Sequence, residues 1–455
     1  MRIGVATVDF TPPPGLPLMG NFRDDYAARG VHDPLRAKAM VFKDRSGSKA
    51  AVLALDVCML DRANVALIRN VIGQESGVPP QNVLVHATHT HSAPAPCNCY
   101  IFGAEFEPHR AAVAAMLTTA AGAVAAAEKQ LAPATLAVGY ASEDRLSFNR
   151  RLRRRDGTTQ MNWEALAPGF DPNEIEAAWG PIDPQVICLV VYRERLPVGV
   201  VVNFGLHPAI LAGDNWLYSA DYPGYLAEAM RHMMGGTFIC ALLNGCSGNV
   251  NHVDYRDPHQ GRAFKRAHYV GYAIAGSVLR ALGDAFLRMV GDKVPVAGDR
   301  VAVARDRVKL DRITIPAEEQ ARCRQVLEEA AKQPARGQVD GLPEAFFAEM
   351  RLAMAAVQDE PDEVEVMTIR VDDVALVGLP GENFCETGLA IKRRSPAAHT
   401  LVAGLCNDAI GYLPTRESFD QGGYETTVGS TLYEPGTAER LADTAAEQLQ
   451  RLFAD

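Results

Sequence analysis

Long runs of Lys or Arg are absent from the 455 residues, and acidic side chains outnumber basic ones by 55 to 45, for a net charge of −10. That balance does not favour a nucleic-acid or anionic-membrane surface. The one basic cluster, RRLRRR at 150–155, is simply read as a solvated turn. No segment reads as a membrane span. The most apolar stretch, Ala111 to Ala127, is mostly Ala, too poor in Leu, Ile and Phe for a hydrocarbon crossing of about 20 residues, and is expected to be a core helix. The start, MRIGVATVDFTPPPG, lacks a basic n-region, an apolar h-region and a small-residue cleavage site, so a cytoplasmic location is expected. Cys residues number 9, an odd count, and several lie in apolar runs such as VICLVVY and FICALL, where Cys acts as a small hydrophobe. A disulfide framework is not expected. Cys97 and Cys99 are too close for a zinc knuckle, although they follow a His cluster. Repeats of 20–50 residues and low-complexity tracts are also missing.

What is there is a folded, globular balance, with 48% apolar and 22% charged residues. The length would accommodate two or three modules. Pro and Gly are spread evenly, no linker divides the chain, and 1–455 is read as one catalytic unit. Apolar runs predict strands at 51–56, 83–87, 186–192, 198–204, 237–243, 364–370, 374–379 and 400–405. Helical patterns fall at 62–74, 110–130, 223–234, 261–290, 317–333, 343–357, 384–394 and 436–453. The expected class is α/β: mixed sheets covered by helices on both faces, with a small helical insertion at about 317–357.

Side chains able to carry chemistry gather where predicted strands end. In Val85-His86-Ala87-Thr88-His89-Thr90-His91-Ser92, residues i and i+2 share a face, so His89 and His91 project together and His86 points away. Such a pair is half of a zinc site, or else two hydrogen-bonded loop histidines. His207 follows the strand VGVVVNF, and Glu382 sits in the Pro-Gly turn GLPGE after VALVG. Each has a purely structural alternative: a lone strand-end His, and a Glu complementing the dipole of a following helix. A third junction, Asn244-Gly245-Cys246-Ser247-Gly248-Asn249-Val250-Asn251, offers glycines for close backbone approach and amides that can position a water. It is neither a Walker A loop nor a nucleophile elbow.

Together, MGNF (19–22), GVHDPLRAKAMVF (30–42), ATHTHSAP (87–94), SFNRR (147–151), NFGLHPAIL (203–211), SADYPG (219–224), GCSGNVN (245–251), LPGENF (379–384) and NDAIGYLPT (407–415) resemble the catalytic domain of the neutral/alkaline non-lysosomal ceramidases, in family order. The resemblance implies an active site at strand C-terminal ends. It implies one catalytic zinc ion held by His89, His207, Glu382 and Tyr412, and an amide cleaved by a zinc-activated water. His91, Asn251 and Arg150 are then the catalytic candidates, and Asn149, Arg151 and Asp221 the substrate-binding ones.

Two departures shape the expectation. The family's turn reads roughly G-D-V-S-P, whereas here Asn251 stands at the Ser position, which favours attack by water over attack by a hydroxyl. Full ceramidases carry an additional C-terminal immunoglobulin-like domain, which is not expected here, and are usually secreted or membrane-attached. The expected activity is therefore a zinc-dependent amidohydrolase acting on a small, polar, soluble molecule, with neither nucleic acid nor stable membrane association and with homo-oligomerisation left open. The alternatives are a zinc esterase or lactonase, a ceramidase proper acting on N-acyl sphingoid lipid, and a non-catalytic zinc- or ligand-binding protein.

Overall fold

Apolar β-branched runs without polar alternation need cover on both faces. The chain supplies it with three main sheets set around one shared core, two of four strands and one whose four long strands are joined at the edge by the short strand Ala132–Pro133. The computed structural model describes residues 1–23, 25–97, 109–290, 299–332, 338–339 and 342–454; Cys99 lies outside them.

The first sheet contains β1 (Arg2–Asp9), β2 (Arg36–Lys43), β3 (Lys49–Leu55) and β4 (Val83–Ala87), with α1 (Arg62–Glu75) between β3 and β4 and α2 (Arg110–Lys129) after them. The second contains β5 (Thr135–Ser142), β6 (Gln185–Arg193), β7 (Leu196–Phe204) and β8 (Ile239–Asn244), with α3 (Asp221–Met234) and α4 (Ala263–Val290) in the corresponding places. The third contains β9 (Val301–Leu310), β10 (Asp362–Val371), β11 (Val374–Gly378) and β12 (His399–Ala403). Helices α5 (Ala317–Lys332) and α6 (Glu344–Val357) are inserted between β9 and β10, and α7 (Cys385–Arg394) and α8 (Thr437–Phe453) occupy the recurring positions. Every sheet repeats one pattern. Its first three strands are antiparallel, and a helical crossover returns the fourth parallel to the third.

The inner faces interdigitate in a common core that includes Val5, Met40 and Val52 from the first sheet, Val138, Leu189 and Val201 from the second, and Ile369, Leu376 and Leu401 from the third. Each outer face is covered by its own helices. In the first two sheets a glycine lets helix backbone settle directly onto the first strand. A Cβ at Gly4 would lie 1.8 Å from the Ala127 carbonyl oxygen, and one at Gly139 would lie 1.8 Å from that of Ala281.

The C-terminal ends of the three parallel pairs are tied to one another. Asn203 on β7 donates to the carbonyls of Leu243 and Val402, both at 2.9 Å. His86 on β4 reaches the other two sheets at once. Its Nδ1 donates to the Gly404 carbonyl at 3.0 Å, and its Nε2 accepts the Asn244 N–H at 2.9 Å. The ring is fully buried, and that burial pushes its pKa down to about 3.

All eight strand expectations and all eight helix expectations fall on observed elements. Strands β1, β2, β5 and β9 were not anticipated, because their apolar positions alternate with polar or small residues. β9, VAVARDRVKL, leaves much of one face open to solvent. The insertion near 317–357 is the α5–α6 pair. In contrast to the expectation for the sequence, α2 and α4 are both long and apolar enough to cross a membrane by composition; half of each apolar stretch is buried inside the protein.

Gly4→Ala is expected to lower stability by about 2 kcal/mol, because helix backbone must move. Gly122→Ala in α2, where a Cβ meets nothing within 4 Å, should instead stabilise by up to about 1 kcal/mol. Urea unfolding of the two variants checks both signs. Replacing His86 by Leu strands one buried N–H and one buried carbonyl and should cost about 3 kcal/mol. Since the folded pKa lies below the ordinary 6.5, the unfolded chain binds the extra proton, and His86 makes stability fall as pH drops from about 6.5 to about 3. The Leu variant should lose less stability across that window.

Candidate metal centre and substrate cavity

The residues just beyond the tied strand ends form one cluster. His89 lies two positions past β4 with φ 76°, a left-handed backbone that the surrounding bonds impose. Its N–H donates to the Val57 carbonyl and its Nδ1 donates to the Cys58 carbonyl at 2.7 Å, which leaves Nε2 as a bare acceptor. His207, three positions past β7, turns Nδ1 toward the Ser247 carbonyl at 3.4 Å and its own Nε2 inward. Glu382 follows Gly381, whose φ of 67° and tight contact with Ile410 and Gly411 leave no room for a side chain. Glu382 pairs in parallel with Tyr412, which brings both side chains to the cluster.

The two imidazole Nε2 atoms are 2.9 Å apart. Glu382 Oε2 lies 3.1 Å from His89 Nε2 and 3.8 Å from His207 Nε2. These side chains are almost completely buried, and Glu382 Oε2 makes no hydrogen bond of acceptable geometry. Converging lone pairs repel, so the arrangement calls for a cation at its centre. Donors bound tetrahedrally to zinc at ~2.0–2.1 Å stand roughly 3.3 Å from each other, a spacing that the observed distances bracket. His89, His207 and Glu382 therefore fit a metal ion and could hold one. Electrostatics agree. Burial opposes charge on every imidazole, but the Glu382 carboxylate raises His89, and the charge on His89 then joins burial in pushing His91 and His207 well down. With no metal bound, a proton on His89 facing Glu382 would take the cation's place, and the other two imidazoles stay neutral.

Tyr412 is buried beside these donors. Burial and Glu382 push its phenol well up, while Arg150 pulls it back. His91 stands next to the cluster, its Nε2 3.3 Å from that of His89. Its ring lies where a Cβ on Gly20 would fall, 2.5 Å away. Arg150 is buried, with Nε donating to Glu425 at 2.6 Å and Nη2 lacking any partner, and its guanidinium lies over Trp163 and Tyr412.

Other expected positions fall elsewhere. Arg151 does not line the cavity: it donates to the second oxygen of Glu425 at 3.0 Å and to the Ser418 and Gly422 carbonyls. Asn149 donates to the Pro181 carbonyl and accepts the Arg151 N–H. Asp221 accepts the N–H groups of Ile210 and Leu211, both at 3.0 Å, bracing the chain after His207; burial pushes its carboxyl up to about 6. None of the three is among the residues that line the cavity, and each holds neighbouring groups in place. Asn251 does line the cavity, but its amide is locked in a reciprocal pair with Asn162 at 2.7 and 2.8 Å. Tyr424, Glu425 and Trp163 went unanticipated. Nothing local marks them: Tyr424 and Glu425 reach Arg150 through a fold that joins positions more than 250 residues apart, and Trp163, close to Arg150 in sequence, sits in a short helical turn with no motif around it.

The cluster opens into a cavity of about 340 Å³ lined by His91, Arg150, Trp163, Asn251, Tyr412 and Tyr424 among others. A larger one, about 660 Å³, lies between β2 and helices α3 and α4, away from the cluster; its buried Lys38 is closed onto Asp56 at 2.7 Å.

Residues 1–251 match the model of the neutral/alkaline non-lysosomal ceramidase N-terminal region. The chain belongs to that family. It is 24% identical to the neutral ceramidase of Mycobacterium tuberculosis, over 94% of this chain and 73% of that one. Against the neutral ceramidase of Pseudomonas aeruginosa, identity is 23%, covering 100% of this chain and 71% of the relative. The crystal structure of a neutral ceramidase from Pseudomonas aeruginosa superposes with a TM-score of 0.71 over 100% of this chain and 74% of that chain, at 20% identity. The common fold thus extends past the matched region to Glu382, Tyr412 and Tyr424.

Glu425 neutralises one of two buried guanidinium groups. Glu425→Gln should leave both short of a counter-charge and cost about 3–5 kcal/mol, read as a fall in the denaturation midpoint. Asp443→Asn, at an exposed pair with Arg394, should change little and serves as the control.

Proposed function

We propose that this ceramidase-family hydrolase is a zinc-dependent amidohydrolase that cleaves an amide bond in a small, polar, soluble molecule. The observation that carries the reading is the convergence of two bare imidazole nitrogens and an unbonded carboxylate oxygen at one buried point. His89, His207 and Glu382 would hold the ion, with Tyr412 offering a fourth, oxygen donor. Zinc bound there would supply the acidity that makes water a nucleophile at neutral pH and would polarise the scissile carbonyl.

The surrounding side chains have complementary work. Arg150 presents an unpaired Nη2 to the cavity, where it can donate to the oxygen that gains charge as the carbonyl carbon becomes tetrahedral. Glu425 fixes that guanidinium in position, so little reorganisation accompanies the reaction. The His91 ring is kept neutral by burial and neighbouring charge, faces the cavity, and can take up a proton and return it to the leaving amine. Asn251, tied to Asn162, holds the turn that carries the Ser247 carbonyl toward His207.

Protein purified without chelator should carry about one equivalent of zinc, and His207→Ala should weaken zinc binding by at least about 100-fold and abolish turnover. Metal analysis showing less than about a tenth of an equivalent, with no uptake on adding zinc, overturns the assignment. Matched amide and ester substrates, assayed on the same preparation, decide the bond class: amide turnover above background supports the reading, and turnover of esters alone replaces it.

A further inference from the structure

Two cavities meet at the cluster and share Gly20, Asn21, Phe22, His91, Tyr412 and Tyr424. They differ in size and in chemistry. The smaller is about 40 Å³, and its remaining walls are Cys58, Met59, His89, Glu382 and Phe346. The larger, about 340 Å³, adds Asp214, Asn251, His252 and Gln260 beside the apolar Trp163 and Ile210. Apart from the metal donors and the Asn21, His91 and Tyr424 that it shares with the larger lobe, the small lobe offers Cys58, Met59, Phe22 and Phe346, a wall that would leave an amine or hydroxyl set against it without hydrogen bonds. The large lobe has polar groups to spare, among them a buried His252 Nδ1 with no partner.

The wall that ends the small lobe comes from the helical insertion. Phe346, near the start of α6, meets Phe22 edge-on at 4.7 Å, and its neighbour Phe347 lies 6.3 Å from Tyr424. Phe346 and Phe347 are almost fully buried. The helix is held against the loop that carries Tyr424. Arg351 donates to the Val428 carbonyl at 3.1 Å, and Gly429 sits so close that a Cβ there would lie 3.2 Å from that of Met350. Retreat of Phe346 would break these contacts, so the wall is firm.

We infer that Phe346 is a specificity-determining residue: it closes an apolar acyl lobe and restricts the acyl side of the substrate to short chains, while the amine side occupies the polar lobe. At about 10–15 Å³ for each water-sized group, the small lobe holds about three such groups, one of them the ion that its His89 and Glu382 walls would bind, which leaves room for about two carbons. This inference rests on the amidohydrolase reading and narrows its substrate class to short-chain N-acyl compounds, acetyl derivatives foremost. Each methylene beyond that limit meets the Phe22–Phe346 pair and must push a packed helix.

The test uses the zinc-loaded full chain and N-formyl, N-acetyl, N-butyryl, N-hexanoyl and N-octanoyl derivatives of one aromatic amine. The wild-type kcat/KM should peak at acetyl and fall at least about 1000-fold by hexanoyl, which carries at least three methylenes beyond the limit at about tenfold or more each. Phe346→Ala should move the optimum to butyryl or hexanoyl, mainly through KM, and Phe346→Leu, which keeps an apolar wall on α6, should shift it by a smaller step. A wild-type optimum at hexanoyl or longer overturns the inference. So does a folded Phe346→Ala protein with an unchanged chain-length profile. Binding of acetate and hexanoate, measured by calorimetry on the same proteins, separates the two layers. If no amide is turned over but Phe346→Ala binds hexanoate at least about tenfold more tightly than wild type, the amide reading fails and the wall stands. If hexanoate affinity is also unchanged, the wall fails.

Discussion

The bond pair made by His86 is the constraint on which the site depends. One neutral imidazole donates to Gly404 beyond β12 and accepts from Asn244 at the end of β8, while its own strand, β4, leads to His89. Three sheets that share a core could still slide along their strand axes, since apolar contacts are not directional. Hydrogen bonds with defined partners remove that freedom. With the ends registered, the loops that follow them deliver His89, His207 and Glu382 to one point without any of these residues having to reach.

Charge at the site is organised by what is missing as much as by what is paired. Arg150 and Arg151 share the single carboxylate of Glu425, so the buried trio keeps one positive charge in excess, beside Tyr412. The adjoining cluster shows the opposite condition, bare acceptors in excess of protons. An electron-rich pocket for a cation thus lies next to a cation with an open donor, the polarity that a carbonyl group meets when its oxygen points to one and its carbon to the other.

Much of this was legible in the sequence because the donors lie at the ends of continuous apolar runs, where a strand stops and a polar residue has nowhere to go but the sheet edge. His89, His207 and Glu382 each follow such a run, and all eight anticipated strands are present. Tyr412 came through resemblance, since its place depends on a loop nine residues past β12. Arg151, Asn149 and Asp221 read as substrate groups because polar residues near a site look alike in one dimension. Which way they face is decided by Glu425, Pro181 and the Ile210–Leu211 backbone, all distant or featureless in sequence. Likewise β9 escaped notice because a strand with one open face resembles a polar loop, and α6 gave no hint that Phe346 lines the cavity beside the cluster while Phe347 packs near Tyr424.

The threefold recurrence of strands and crossover helices also sets a schedule. His89 comes from the first set, His207 from the second, and Glu382 and Tyr412 from the third. A growing polypeptide that has released only its first two sets owns a pair of imidazoles and no carboxylate, a weak chelator on an unfinished core. The cluster is therefore complete only once the third sheet has docked on the other two, and a chain cut short before residue 382 would lack the carboxylate that completes it.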